Sequence, residues 1–107
     1  MASSKISQLQ LLQQNLQGIL QQKQLLETDL IEVESSLLQV ASSPEAYRII
    51  GKVMVLVPKD ILLAELDEKK QTLLLRIASF TKQENKVKDN LEVLQQEVLD
   101  EMKVTHE

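Results

Sequence analysis

Tyr47-Arg-Ile-Ile-Gly51-Lys52-Val-Met-Val-Leu-Val57 is the stretch that decides the fold. Val, Ile and Tyr favour extended backbone. Gly51-Lys52 fits a two-residue type II′ turn, which calls for Gly at its first central position. The stretch therefore predicts a β-hairpin, at about residues 46–57, with Ile50 opposite Val53, Ile49 opposite Met54, Arg48 opposite Val55 and Tyr47 opposite Leu56. Side chains alternate across a strand. One face then carries Tyr47, Ile49, Met54 and Leu56; the other carries Arg48, Ile50, Val53, Val55 and Val57. Both faces are apolar, Arg48 excepted. An isolated hairpin is marginal in water, and two open edges are templates for pairing with another chain. Tyr47, Ile49, Ile50, Gly51, Val53, Met54, Val55 and Leu56 are thus expected to form an assembly element, pairing with sister hairpins. The alternative is that the hairpin folds down onto its own helices.

Outward from the hairpin, both flanks read as long helices. Upstream, steps of three and four pick out Leu9, Leu12, Leu16, Ile19, Lys23, Leu26, Leu30, Val33, Leu37 and Val40, of which only Lys23 is not apolar. Downstream they pick out Leu63, Leu66, Lys70, Leu73, Ile77, Phe80, Glu84, Val87, Leu91, Leu94, Val98 and Glu101. A sustained period of 3.5 residues is a coiled-coil seam. Ser42, Ser43 and Pro44 stop the first helix, because the residue before a proline is pushed out of the α region. Pro58 suits the first turn of the second, and Asp60 sits at the positive end of its dipole. The reading is one domain: a helix at about 4–41, the hairpin, and a helix at about 58–103. The fold class is mostly α, an antiparallel two-helix coiled coil with one short hairpin between the helices. Gly18 costs the first helix about 1 kcal/mol against Ala and reads as a tolerated defect.

Composition agrees. The 107 residues include one Phe, one Tyr, no Trp, two Gly and two Pro, so a round aromatic core is not available. Net charge is −4 with both signs interspersed, and no basic patch points to nucleic acid. No cysteine is present, so a disulfide or thiolate metal site is excluded. The longest apolar run is Val53–Val57, far from the roughly 20 residues of a membrane span. Met1–Gln8 lacks the apolar core of a secretory signal,, and a cytoplasmic location is expected. No catalytic, cofactor or metal site is expected. The lone His106 lies at the chain end with no orienting partner, and no phosphate loop or nucleophile elbow is visible,.

Lys23 and Glu84 interrupt the seams near their middles. Either they meet and set the register, or each snorkels its charge to the edge. Antiparallel helices also bring the two chain ends together. Ile6, Leu9, Leu12, Val98, Leu99 and Met102, joined by Leu11, Leu94 and Val104, concentrate apolar side chains there. Leu11 and Leu99 lie off the seams. The cluster reads as a surface for unfolded clients, Met102 adding an adaptable side chain. The alternative is ordinary seam plus scattered leucines.

Four local motifs carry a resemblance. Gln21-Gln-Lys-Gln24, Ala46-Tyr47-Arg-Ile-Ile-Gly51-Lys-Val-Met-Val, Ala64-Glu65-Leu66 and Lys82-Gln-Glu-Asn-Lys86 occur in order around a single hairpin. Over about residues 9–100 the chain resembles the β-type subunit of prefoldin. It departs at Pro58 and at the apolar Ile61-Leu62-Leu63. The resemblance implies an ATP-independent holdase subunit that holds unfolded clients at coiled-coil tips and passes them to a group II chaperonin. It implies as partners α-type subunits and further β-type copies, two α and four β in an archaeal hetero-hexamer, and no cofactor. A structural or tethering coiled coil in a larger assembly is the competing reading.

Overall fold

A computed structural model describes residues 2–106, with side chains described for residues 4–103. The side chains of Val104 and His106 lie outside the described residues. The elements are helix α1 (Ala2–Ser42), strands β1 (Ala46–Ile50) and β2 (Val53–Val57), and helix α2 (Lys59–His106). The fold is thus two long helices with a short antiparallel hairpin between them. Among the described residues no helix is long and apolar enough to cross a membrane.

The hairpin register is the one its turn chemistry dictates: Ile50 pairs with Val53, Ile49 with Met54, Arg48 with Val55 and Tyr47 with Leu56. Gly51 has φ of 61°, and among the described residues no non-glycine residue has positive φ. A type I′ turn would need positive φ at Lys52 as well, so the turn is II′.

Two compact units make up the chain, residues 25–77 and residues 1–24 with 78–107. In the first unit, Leu26, Val33 and Leu73 are buried, with Leu30, Leu37, Val40, Leu63, Leu66, Lys70 and Ile77 half-buried. In the second, Leu91, Leu94, Val98 and Glu84 are buried, with Leu9, Leu12, Leu16, Ile19, Lys23, Phe80, Val87 and Glu101 half-buried. Every seam position read from the 3–4 spacing is therefore at least partly covered. In this second unit the helical segments run antiparallel: Lys5 meets Glu101, and Lys23 meets Glu84.

The end of α1 shows a device that the loop sequence conceals. Its last carbonyls lack intrahelical partners. Lys59 Nζ donates to Ala41 O at 2.7 Å and to Ser43 O at 2.8 Å. The Ser42 and Ser43 hydroxyls both donate to Gln39 O, at 3.1 and 2.7 Å. A cation there also suits the negative end of the helix dipole. Pro58 stands one residue earlier than its reading as a first-turn residue. Its carbonyl accepts from Leu62 N at 3.2 Å, which makes it the N-cap of α2, where a missing N–H costs nothing. Gly18 lies within α1, and a Cβ built on it would meet no atom within 4 Å.

Candidate functional site

Two surfaces stand out, one in each unit. In the unit of residues 25–77 it is the hairpin. Ala46 is buried and Arg48 and Val57 are half-buried, so the hairpin meets the rest of its unit at its base and through Arg48. Beyond the base both faces are open: Ile49 is 72 % exposed on one and Val53 60 % on the other. Tyr47, Met54 and Leu56 accompany Ile49 in exposure, and Ile50 and Val55 accompany Val53. The hairpin does not fold down onto its helices. The sheet has only two strands, so each strand keeps an unpaired edge among the described residues. Arg48, the one charge on either face, bonds to Glu65 of α2. The Tyr47 hydroxyl donates to the Glu45 carboxylate. That bond, with a smaller contribution from burial, lifts the phenol above its ordinary value of 10.0.

In the unit of residues 1–24 and 78–107, the expected tip residues divide. Leu99 is 52 % exposed, and Ile6, Leu11 and Met102 are also exposed. Leu9 and Leu12 are half-buried. Val98, expected among the contact residues, is only 8 % exposed. It sits on the seam, and its side chain packs inside the coil instead of offering a surface. Leu94 is buried likewise.

The same unit carries two charged seam layers. Lys23 Nζ lies 2.9 Å from Glu84 Oε1, and Lys88, one turn further along α2, lies 2.7 Å from Glu84 Oε2. Lys23 and Glu84 therefore pair across the helices. Lys5 repeats the arrangement, 2.6 Å from Glu101 Oε1 and 3.5 Å from Glu97 Oε2. Lys5 stands four residues before Leu9, so continuing the 3–4 step backward would have placed it on the seam. In both layers a lysine of α1 meets a carboxylate of α2, an arrangement that matches charges when unlike helices meet.

Glu84 is held below the ordinary 4.5 by its bonds to Lys88 and then Lys23, against an opposing effect of burial. Glu101 is lowered by its bond to Lys5, and Lys5 is raised above 10.5 by Glu101. A carboxyl lowered on folding stabilises the fold fully above its unfolded value and loses that contribution as pH falls through the folded one. For Lys5 the sign is opposite: its contribution is full below 10.5 and is lost as pH rises through its higher folded value,. The Glu84→Gln chain should therefore have a lower unfolding midpoint than wild type near pH 7, with the gap narrowing as the pH falls from 4.5 through the lowered folded value,. A gap that stays constant between those pH values would assign the effect to packing alone. A double-mutant cycle of Lys23→Leu and Glu84→Leu should likewise give non-additive midpoints. Additive ones would mean the two charges act separately.

Comparison with known proteins agrees with this geometry. A family model described as prefoldin subunit matches residues 3–103. The prefoldin subunit beta of Thermococcus kodakarensis is 36 % identical over 92 residues, covering 83 % of this chain and 79 % of that protein. That of Pyrococcus abyssi is 33 % identical over 96 residues, covering 87 % and 82 %. The crystal structure of the prefoldin beta subunit from Thermococcus strain KS-1 superposes with a TM-score of 0.87 at 32 % identity, covering 92 % of this chain and 90 % of that one. With its helix–hairpin–helix order, its exposed hairpin and these relatives, the chain belongs to the prefoldin subunit family.

Proposed function

We propose that this chain is a β-type subunit of an ATP-independent holdase. It assembles through its hairpin with α-type subunits and further β-type copies, and it holds unfolded proteins at the helix ends of the unit formed by residues 1–24 and 78–107. The observation that carries the proposal is the hairpin, with both apolar faces exposed. A chain with such an element is incomplete alone. Apolar surface is stabilised by roughly 25 cal/mol per Å² when covered, and sister hairpins supply both the edge hydrogen bonds and the second apolar face. A tethering coiled coil has no use for such a hairpin. The proposed assembly is a hetero-hexamer in the cytoplasm, two α and four β in an archaeal setting, that passes its clients to a group II chaperonin.

At the helix ends Ile6, Leu11, Leu99 and Met102 supply apolar contact without disturbing the seam. Each contact is weak, and several linked subunits gain avidity from it. A grip of that kind releases its client without nucleotide energy. The test is to mix the chain with an α-type subunit. A hexameric mass by native mass spectrometry, together with suppression of aggregation of a chemically unfolded protein, is the expected result. A chain that stays monomeric with every α-type subunit, or an assembly that leaves aggregation unchanged, would overturn it.

A further inference from the structure

The hairpin stands on two short connectors, residues 43–45 and Pro58. Connectors of this kind let an element rock unless further contacts hold it. Its base is held. Ala46 is buried, and Lys59, the first residue of α2, donates to Ala41 O at 2.7 Å and to Ser43 O at 2.8 Å. Tyr47 bonds to Glu45, within the connector. Beyond the base one strand side chain reaches back to a helix: the Arg48 guanidinium of β1 pairs with the Glu65 carboxylate of α2. Ile49, Ile50 and the β2 residues from Val53 to Leu56 are exposed. Glu65 is exposed too, and it stands off the seam between Leu63 and Leu66. An exposed ion pair adds little to the stability of a single chain, and this one interrupts an otherwise apolar face. What the pair does supply is a third point of attachment, between the side of the hairpin and α2.

We infer that Arg48 and Glu65 are positioning residues for assembly. With Lys59 holding the base, their pair sets the angle at which the hairpin leaves α2. Both open edges and both apolar faces are then offered to sister hairpins in one orientation. Edge-to-edge pairing needs aligned strands, and an element already held in its bound orientation loses less freedom on association. A small loss of orientation in each subunit is multiplied across linked interfaces. This role rests on the hairpin being the assembly element. Apolar burial by itself requires the opposite effect at position 48, since Arg48→Met makes that face wholly apolar and should tighten assembly.

The experiment uses the full chain with an α-type subunit, and follows dissociation on dilution by native mass spectrometry. Glu65→Gln and Arg48→Met should each weaken assembly about tenfold and leave the thermal midpoint of the free chain near that of wild type. The exchanged pair, Arg48→Glu with Glu65→Arg, should recover most of the loss. The chain has no native cysteine, so nitroxide labels on Lys52→Cys and Thr72→Cys report the hairpin's angle in the free chain. Their distance distribution should be narrow in the otherwise unchanged chain and broad with Glu65→Gln. Equal widths would overturn the positioning role whether or not the chain assembles. Glu65→Gln or Arg48→Met assembling as tightly as wild type, or more tightly, would overturn it and leave the hairpin as the assembly element. An exchanged pair as weak as the single variants would overturn it by showing that the charges meet a neighbouring subunit directly. A fall in the free chain's midpoint that accounts for the lost assembly would overturn it by assigning the loss to folding. Wild-type chain that assembles with no α-type subunit would remove the proposed function, and the positioning role with it.

Discussion

Changing Ile50 and Val53 together to Asp is expected to dissociate the assembly while leaving the chain helical. The two residues face each other across the turn and are exposed in the single chain, so the monomer tolerates aspartates there with little cost. In the proposed assembly sister hairpins cover the same positions. Each unpaired buried charge then costs roughly 3–5 kcal/mol, enough to shift a subunit equilibrium by several powers of ten. Native mass spectrometry should show free subunits, and far-UV circular dichroism should keep its helical signal. If the double mutant still travels with its partners, the hairpin is not what joins them. A mutant that loses helicity would mean that the hairpin supports its own helices, a reading the open faces of Ile49 and Val53 argue against.

The second large effect belongs to the helix ends. Ile6→Ser, Leu99→Ser and Met102→Ser remove three exposed apolar side chains and leave the buried Leu94 and Val98 in place. Surface substitutions of this kind change stability by no more than about 0.5 kcal/mol each. Covering such side chains against a client is worth roughly 1.5–3 kcal/mol apiece, and the effect multiplies across linked subunits. The triple variant should therefore form the normal assembly and fail to suppress aggregation at equimolar ratio. Full suppression would move the client surface off the helix ends. Because Val98 and the Lys5–Glu101 layer are untouched, a negative result here is not a folding defect.

Much of this molecule was legible because its signals are periodic and local. The 3–4 spacing from Leu9 to Val40 and from Leu63 to Glu101 coincides with the positions the helices cover. Periodicity reports which face is buried, and a two-helix fold offers that face one partner. Gly51 dictated a II′ turn through its backbone, and the turn set the register of all the hairpin pairs. The apolar character of both hairpin faces is likewise a property of alternation along a strand.

Other features depended on distance in space. Nothing in Ala41-Ser-Ser-Pro44 announces that Lys59 caps the end of α1, because the contact spans the hairpin. Lys23 and Glu84 had two readings until their separation was known, since pairing depends on the register between helices and not within one. Val98 and Leu99 are adjacent and both apolar, yet one is buried and the other exposed. A turn of about 100° per residue separates seam from surface, and composition is blind to it.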